Sequence, residues 1–142
     1  MDALSMSRYI TETFAEVETS ENFGYRFCFY RDDHMLPFAT IASADNECDR
    51  VSNLDRPGVF RLNLGVSGTT FQRLFGSKEP QLEAYDFTAL NTLMPHPEYA
   101  AQSFLCVLSP SPETFEQLRP LLAEAYALAA TRYHSSRQTG EE

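Results

Sequence analysis

Several function classes are set aside by what this sequence lacks. Lys78 is the only lysine, no basic run occurs, and the formal net charge is −9. With a pI near 4.7, the long-range field repels phosphate backbones and acidic lipid, so nucleic acid is disfavoured as a partner. Cysteine is scarce: Cys28, Cys48 and Cys106 are odd in number and lack metal-site spacing, which leaves them as small apolar residues, expected to be buried structural thiols. No apolar run approaches the roughly 18 residues of a spanning helix, and MDALSMSRYITETFAEVE has neither the basic start nor the apolar block of a signal peptide. A cytoplasmic, soluble protein without a membrane partner is expected. No G-x-S-x-G elbow, P-loop or H-E-x-x-H is present, and Gly65-Val66-Ser67-Gly68 is too short to cradle phosphate. Asp45, Glu47 and Asp49 alternate as in a calcium loop, but the glycine and terminal glutamate of that motif are missing, so a solvated loop is expected there. No metal and no cofactor is expected.

What is present organises around Asn53–Gly76. In Asp55-Arg56-Pro57-Gly58, proline fixes φ for a type II turn and glycine supplies the positive φ that follows. From Val59 to Val66 side chains alternate, placing Phe60, Leu62, Leu64 and Val66 on one face and Val59, Arg61, Asn63 and Gly65 on the other. Ser67 reads as the N-cap of a helix over Thr69–Phe75 that Gly76 closes.

A chain of 142 residues, 43% hydrophobic, can bury about 68–70% of its unfolded surface in one core. Residues 3–18 carry Leu4, Tyr9, Ile10, Phe14 and Val17 as a helical stripe. Tyr25–Tyr30 and Phe38–Ser43 predict two strands of a hairpin, the first with Tyr25, Phe27 and Phe29 on one face. Phe87–Met94 is read as extended, because Thr88 and Thr92 lower helix propensity and Met94 precedes proline. Ser103–Ser109 is apolar on both faces, as a central strand would be. Ser111-Pro112 opens a last helix over Thr114–Tyr133, with Pro120 marking a kink or restart. The sum is an α+β domain, residues 1–134, with an antiparallel sheet of about four to five strands and the terminal helices on one face; 135–142 form a polar tail.

The strings SNLDRPGVFRLNLGV, TFQRLFG, DFTALNTLMPHPEYA and FLCVLSPSPETFEQLRPLLAEAYALA resemble an uncharacterised bacterial family known only as a domain of unknown function. More distantly, the order of short helix, Pro-containing loop, apolar strand and final helix is similar to MmcQ/YjbR-like proteins. That second resemblance implies a two-layer α+β fold of the double-wing kind, and DNA binding through a wing-like hairpin, Tyr25–Ser43. Neither resemblance implies catalytic residues.

The residues themselves offer two sites. Arg61 and Asn63 project together, with Arg26 and Tyr30 expected on the same side, and an arginine fork beside an amide suits a carboxylate or phosphate. The competing expectation is a solvated sheet face with Arg61 paired to Asp55 or Glu98. Arg56 is presented on its turn or salt-bridged near Asp55. His96 is held between Pro95 and Pro97 beside Tyr99, as a histidine tied to backbone or as a general base. The function remains unknown at this level. A non-enzymatic module binding a small anionic ligand or a protein partner through Arg26, Arg56, Arg61, Asn63, His96 and Tyr99 is the leading reading, a small His96 enzyme the alternative. The aromatic content suits a core or a dimer face, so monomer and homodimer both stay open.

Overall fold

A computed structural model describes residues 1–140, with side chains through Arg137. Among these residues six strands form one sheet in the order β1-β2-β3-β4-β6-β5, each antiparallel to its neighbours. They are β1 (Val17–Asn22), β2 (Tyr25–Tyr30), β3 (Ala39–Ala42), β4 (Arg61–Gly65), β5 (Met94–Pro95) and β6 (Phe104–Leu108). Three helices complete the α+β domain: α1 (Ala3–Thr13), α2 (Gly68–Phe75) and α3 (Pro112–Gly140).

The local signals explain most of these boundaries. Val59 N–H donates to the Arg56 carbonyl at 3.2 Å and Gly58 has φ 73°, so Pro57-Gly58 turn the chain directly into β4. Ser67 Oγ accepts from Thr70 N–H and Gly76 sits at φ 76°, closing α2 at both ends. Ser111 Oγ accepts from Thr114 N–H at 3.2 Å to start α3. That helix runs through Pro120 to Gly140, beyond the expected end at Tyr133 and into the segment expected to be a tail.

Alternation then divides the sheet. Leu62 and Leu64 of β4 and Leu105 and Val107 of β6 join Met6 and Ile10 of α1 and Leu118, Leu122 and Ala125 of α3 in the main core. Each leucine fully buried there contributes about 1.5–3 kcal/mol. On the opposite face, Ala42, Leu54, Met94, Cys106 and Leu108 form a second cluster, with Tyr25, Val59, Tyr85 and Phe87 packed against it. The connections before β4 and β5 therefore fold over the sheet and roof this face.

Three expectations are corrected. The first helix ends at Thr13; Phe14 is extended, Glu16 turns at φ 62°, and Val17 starts a strand registered against Tyr30. Phe14 and Val17 fit a helical stripe by spacing, but the VETSEN edge is almost wholly exposed and has no alternating apolar pattern to announce a strand. The sheet consequently has six strands. Phe87–Met94 is mostly turn: Asp86 Oδ1 accepts from Thr88 N–H and Oγ1, and only Met94 reaches the ladder. Finally, β2 and β3 lie within the sheet between β1 and β4, so the Tyr25–Ser43 hairpin is not a projecting wing. Among the described residues, no helix is long and apolar enough to cross a membrane.

Gly65 leaves room for the ring of Phe104, its partner across β4 and β6. A Cβ built there would lie 2.8 Å from Phe104 Cε1 and 2.9 Å from Cζ, and the Phe104 ring is itself buried. Gly65→Ala is therefore expected to destabilise the fold by about 1–3 kcal/mol through overpacking, measured as a lowered urea midpoint. An unchanged midpoint would mean that the ring moves aside freely.

Candidate functional site

Register brings the cluster together. Phe27, Thr40, Asn63, Cys106 and Met94 lie in one cross-strand row, and Tyr25, Ala42, Arg61 and Leu108 in the next. Residues paired in a row share a face, so Tyr25, not Arg26 or Tyr30, stands on the Arg61 side. Tyr25, Phe27 and Phe29 share a face as expected, but it is the Arg61 side, so the facing expected for Arg26 and Tyr30 is inverted, as a slip of one residue inverts every side chain of a strand. Arg26 instead donates to Ser7 Oγ at 3.0 Å and pairs with Glu21. Tyr30 contacts His134 Nε2 at 3.1 Å.

Arg61 is 1% exposed and Asn63 2%. The face is therefore neither solvated nor open. Arg61 donates from Nη2 to Asp49 Oδ2 at 2.5 Å and from Nη1 to Oδ1 at 3.3 Å, a two-point grip on the carboxylate. Nη1 also donates to Ser52 Oγ at 3.0 Å, and Nε to Asn63 Oδ1 at 3.0 Å. The Asn63 amide donates onward to Thr40 Oγ1 at 2.7 Å. Tyr25 completes the set by donating its hydroxyl to Asp49. Among the described residues, every buried side-chain nitrogen and oxygen has a partner.

The acid was expected to be Asp55 or Glu98, and it is Asp49. Asp55 accepts instead from Asp45 N–H at 3.1 Å, while Glu98 is exposed. Asp49 is carried by a tight turn in which Asn46 and Asp49 bond to each other through their backbones. Glu47, Cys48, Arg50 and Val51 around it are exposed. Cys48 thus departs from the buried role expected of all three cysteines; Cys28 and Cys106 are buried. The calcium-like triplet is also resolved: Asp45 accepts from Leu54 N–H at 2.8 Å, and Asp49 faces Arg61.

Electrostatics follow the geometry. Burial works to raise the Asp49 carboxyl, but hydrogen bonds from Arg61 and Tyr25 outweigh it and hold it below the usual carboxylate range. Burial, then the Asp49 hydrogen bond and charge, push Tyr25 up to about 12. Burial pushes the Cys106 thiol up to about 12 despite Arg61, so it is no ready nucleophile.

His96 lies close enough to feel this pair. Its backbone N–H donates to the Phe104 carbonyl at 2.9 Å, and its ring Nδ1 accepts from Glu98 N–H and Tyr99 N–H, both at 3.0 Å. The proton of the neutral ring is therefore on Nε2. Burial, then the Arg61 charge, push its pKa down to about 3 against the smaller pull of Asp49. Tyr99 is exposed and rests its ring 4.9 Å from that of His96. Arg56 sits apart and ties two loops, donating to the Asn53, Ser52 and Thr88 carbonyls. The expected six residues thus divide: Arg61 and Asn63 meet in one cluster with His96 and Tyr99 beside it, and Arg26 and Arg56 lie elsewhere. Sequence reading missed Asp49, Tyr25, Ser52 and Thr40 as members. Strand register puts Thr40 opposite Asn63 and Tyr25 in the Arg61 row, one strand beyond Ala42; parity groups such residues, but only the pairing says which face they share.

A family model for a family of unknown function, DUF6194, matches residues 1–138. The chain belongs to DUF6194. No curated protein matches it, and no solved structure does; the more distant likeness to MmcQ/YjbR-like proteins is not shown. The DUF6194 model spans β1 to β6 and both halves of the Arg61 cluster, including the turn that delivers Asp49.

Proposed function

We propose that this DUF6194 chain is a non-enzymatic binding module that takes a small carboxylate-bearing anion at Arg61, with Asp49 holding the ligand's place inside the chain. The observation carrying this reading is the division of labour around one carboxylate. Arg61 and Tyr25, which hold the carboxylate, and Asn63, which holds Arg61 Nε, stand on sheet strands, whereas the carboxylate itself arrives on an exposed turn. Its side chain keeps 10% of its surface open to water, against 1% for Arg61. Buried ion pairs often return less than a well-packed apolar pair of the same size, so stability alone is a weak reason for the arrangement. A planar fork with one hydroxyl donor beside it, Tyr25, is the chemistry that recognises a carboxylate.

The enzyme reading has less support. A general base needs a pKa near the working pH and reach to a reacting proton, and His96 is neutral, buried and committed at Nδ1 to two backbone donors.

Asp49→Ala vacates the site. Formate or acetate is expected to raise the melting temperature of this variant more than chloride at equal ionic strength, because binding selective for the native state adds stability. Wild type should respond less, since a ligand must first displace Asp49. Equal responses to formate and chloride in the variant would overturn the proposal.

A further inference from the structure

At the far corner of the sheet, Phe23 and Gly24 join β1 to β2 with φ 52° and 83°, and Asn22 pairs with Tyr25 across them. Two positive φ values define a type I′ hairpin, a turn that favours Asn-Gly. Phenylalanine there is doubly unfavourable: a bulky side chain in the left-handed region is an outlier, and this one is 76% exposed. Strain of this kind persists where something other than fold stability requires the residue. Leu4, in the first turn of α1, is 59% exposed. Beside both lies an open groove of about 650 Å³ whose lining includes Leu4, Phe23, Glu21, Arg26 and Ile41.

We infer that this corner is the interface of a twofold homodimer, with Phe23 of each protomer seated in the groove of its partner. A projecting ring and a hollow side by side on one surface are the self-complementary pair that a twofold axis needs, because each then meets the other's counterpart. The charges fit the same occupant. Glu21 and Arg26 both line the groove, paired with each other, their side chains 64% and 34% exposed. A twofold copy lets the two pairs share across the axis, Arg26 facing the partner's Glu21 and Glu21 the partner's Arg26, whereas an all-acidic or all-basic partner sets like charge against one member of the pair. The ring supplies the buried aromatic anchor that such interfaces concentrate their affinity in. The β1 edge runs into the same corner with five of its six residues exposed.

Sedimentation equilibrium of the full chain tests this. Wild type is expected to approach twice the 16.1 kDa chain mass as concentration rises. Phe23→Asn suits the turn better than phenylalanine does, so it should fold as well or better while raising the dimer dissociation constant at least about tenfold, the scale of losing an interface anchor. Arg26→Glu and Glu21→Arg should each weaken the dimer, and the double exchange should restore it. A wild type that stays at the monomer mass, or a dimer indifferent to Phe23→Asn, overturns the inference. Either result leaves the Arg61 proposal standing, since that is read by anion-dependent melting.

Discussion

Replacing Asp49 by alanine is expected to destabilise the fold by about 3–5 kcal/mol, the range for removing one partner of a buried ion pair. The side chain is small and partly open, so packing accounts for little of this. The loss comes from Arg61, which stays on β4 with 1% exposure and has no carboxylate to neutralise it. Ser52 and Asn63 still accept from it, but neither carries charge. Arg61→Met should be milder, about 1–3 kcal/mol, although it alters the larger side chain. Its orphan is Asp49, which an exposed turn can swing into water, leaving Tyr25 to lose one hydrogen bond. Combining both substitutions should cost less than the sum, because the second removes the charge that the first strands. Urea denaturation of the wild type, both single variants and the double gives the cycle. Additive effects, or an Asp49→Ala variant as stable as wild type, would show that the pair contributes no coupling.

Acid should unfold the protein through His96 well before most carboxylates titrate. Its pKa is about 3 in the fold against roughly 6.5 in an unfolded chain, so between these values the unfolded state binds the extra proton. Stability from this group is complete above about pH 6.5 and is lost as pH falls toward 3, at up to about 1.4 kcal/mol per pH unit. Asp49 acts in the same direction but lower. Its folded pKa is depressed, so its contribution is full above about 3.9 and is lost as pH falls through its folded value. His96→Asn separates the two. Asparagine Oδ1 can accept from the Glu98 and Tyr99 amides where Nδ1 does now, yet it does not titrate. The variant should therefore show a much flatter stability profile between pH 6.5 and 4.5, where wild type loses up to about 2.7 kcal/mol. Equal slopes for the two proteins in urea titrations across this window would remove His96 as the source.

How much of this was legible depended on the range of the interaction. The Pro57-Gly58 bend, the Ser67 cap and the Gly76 stop are contests among neighbours along the chain, and each stands where the local pattern put it. The run Phe60, Leu62, Leu64 and Val66 is buried throughout, because alternation fixes which side chains share a face before any partner strand is known. The β1 edge was hidden for the opposite reason. It owes its strand to pairing with β2 alone, and an exposed polar segment carries no periodic signal of that pairing.

The Arg61 cluster shows where the two sources of information part. From residue types and parity, the sequence by itself determined that Arg61 and Asn63 stand together across the sheet from the leucine core. It could not say that the face would be roofed, or that among twenty acidic residues Asp49 would reach the guanidinium. Those outcomes were decided by the path of the 43–60 connection, which Leu54 anchors in the second apolar cluster and Arg56 ties to the Thr88 carbonyl. A buried charge accepts whichever partner the surrounding fold delivers within hydrogen-bond reach, and spacing along the chain carries no record of that delivery.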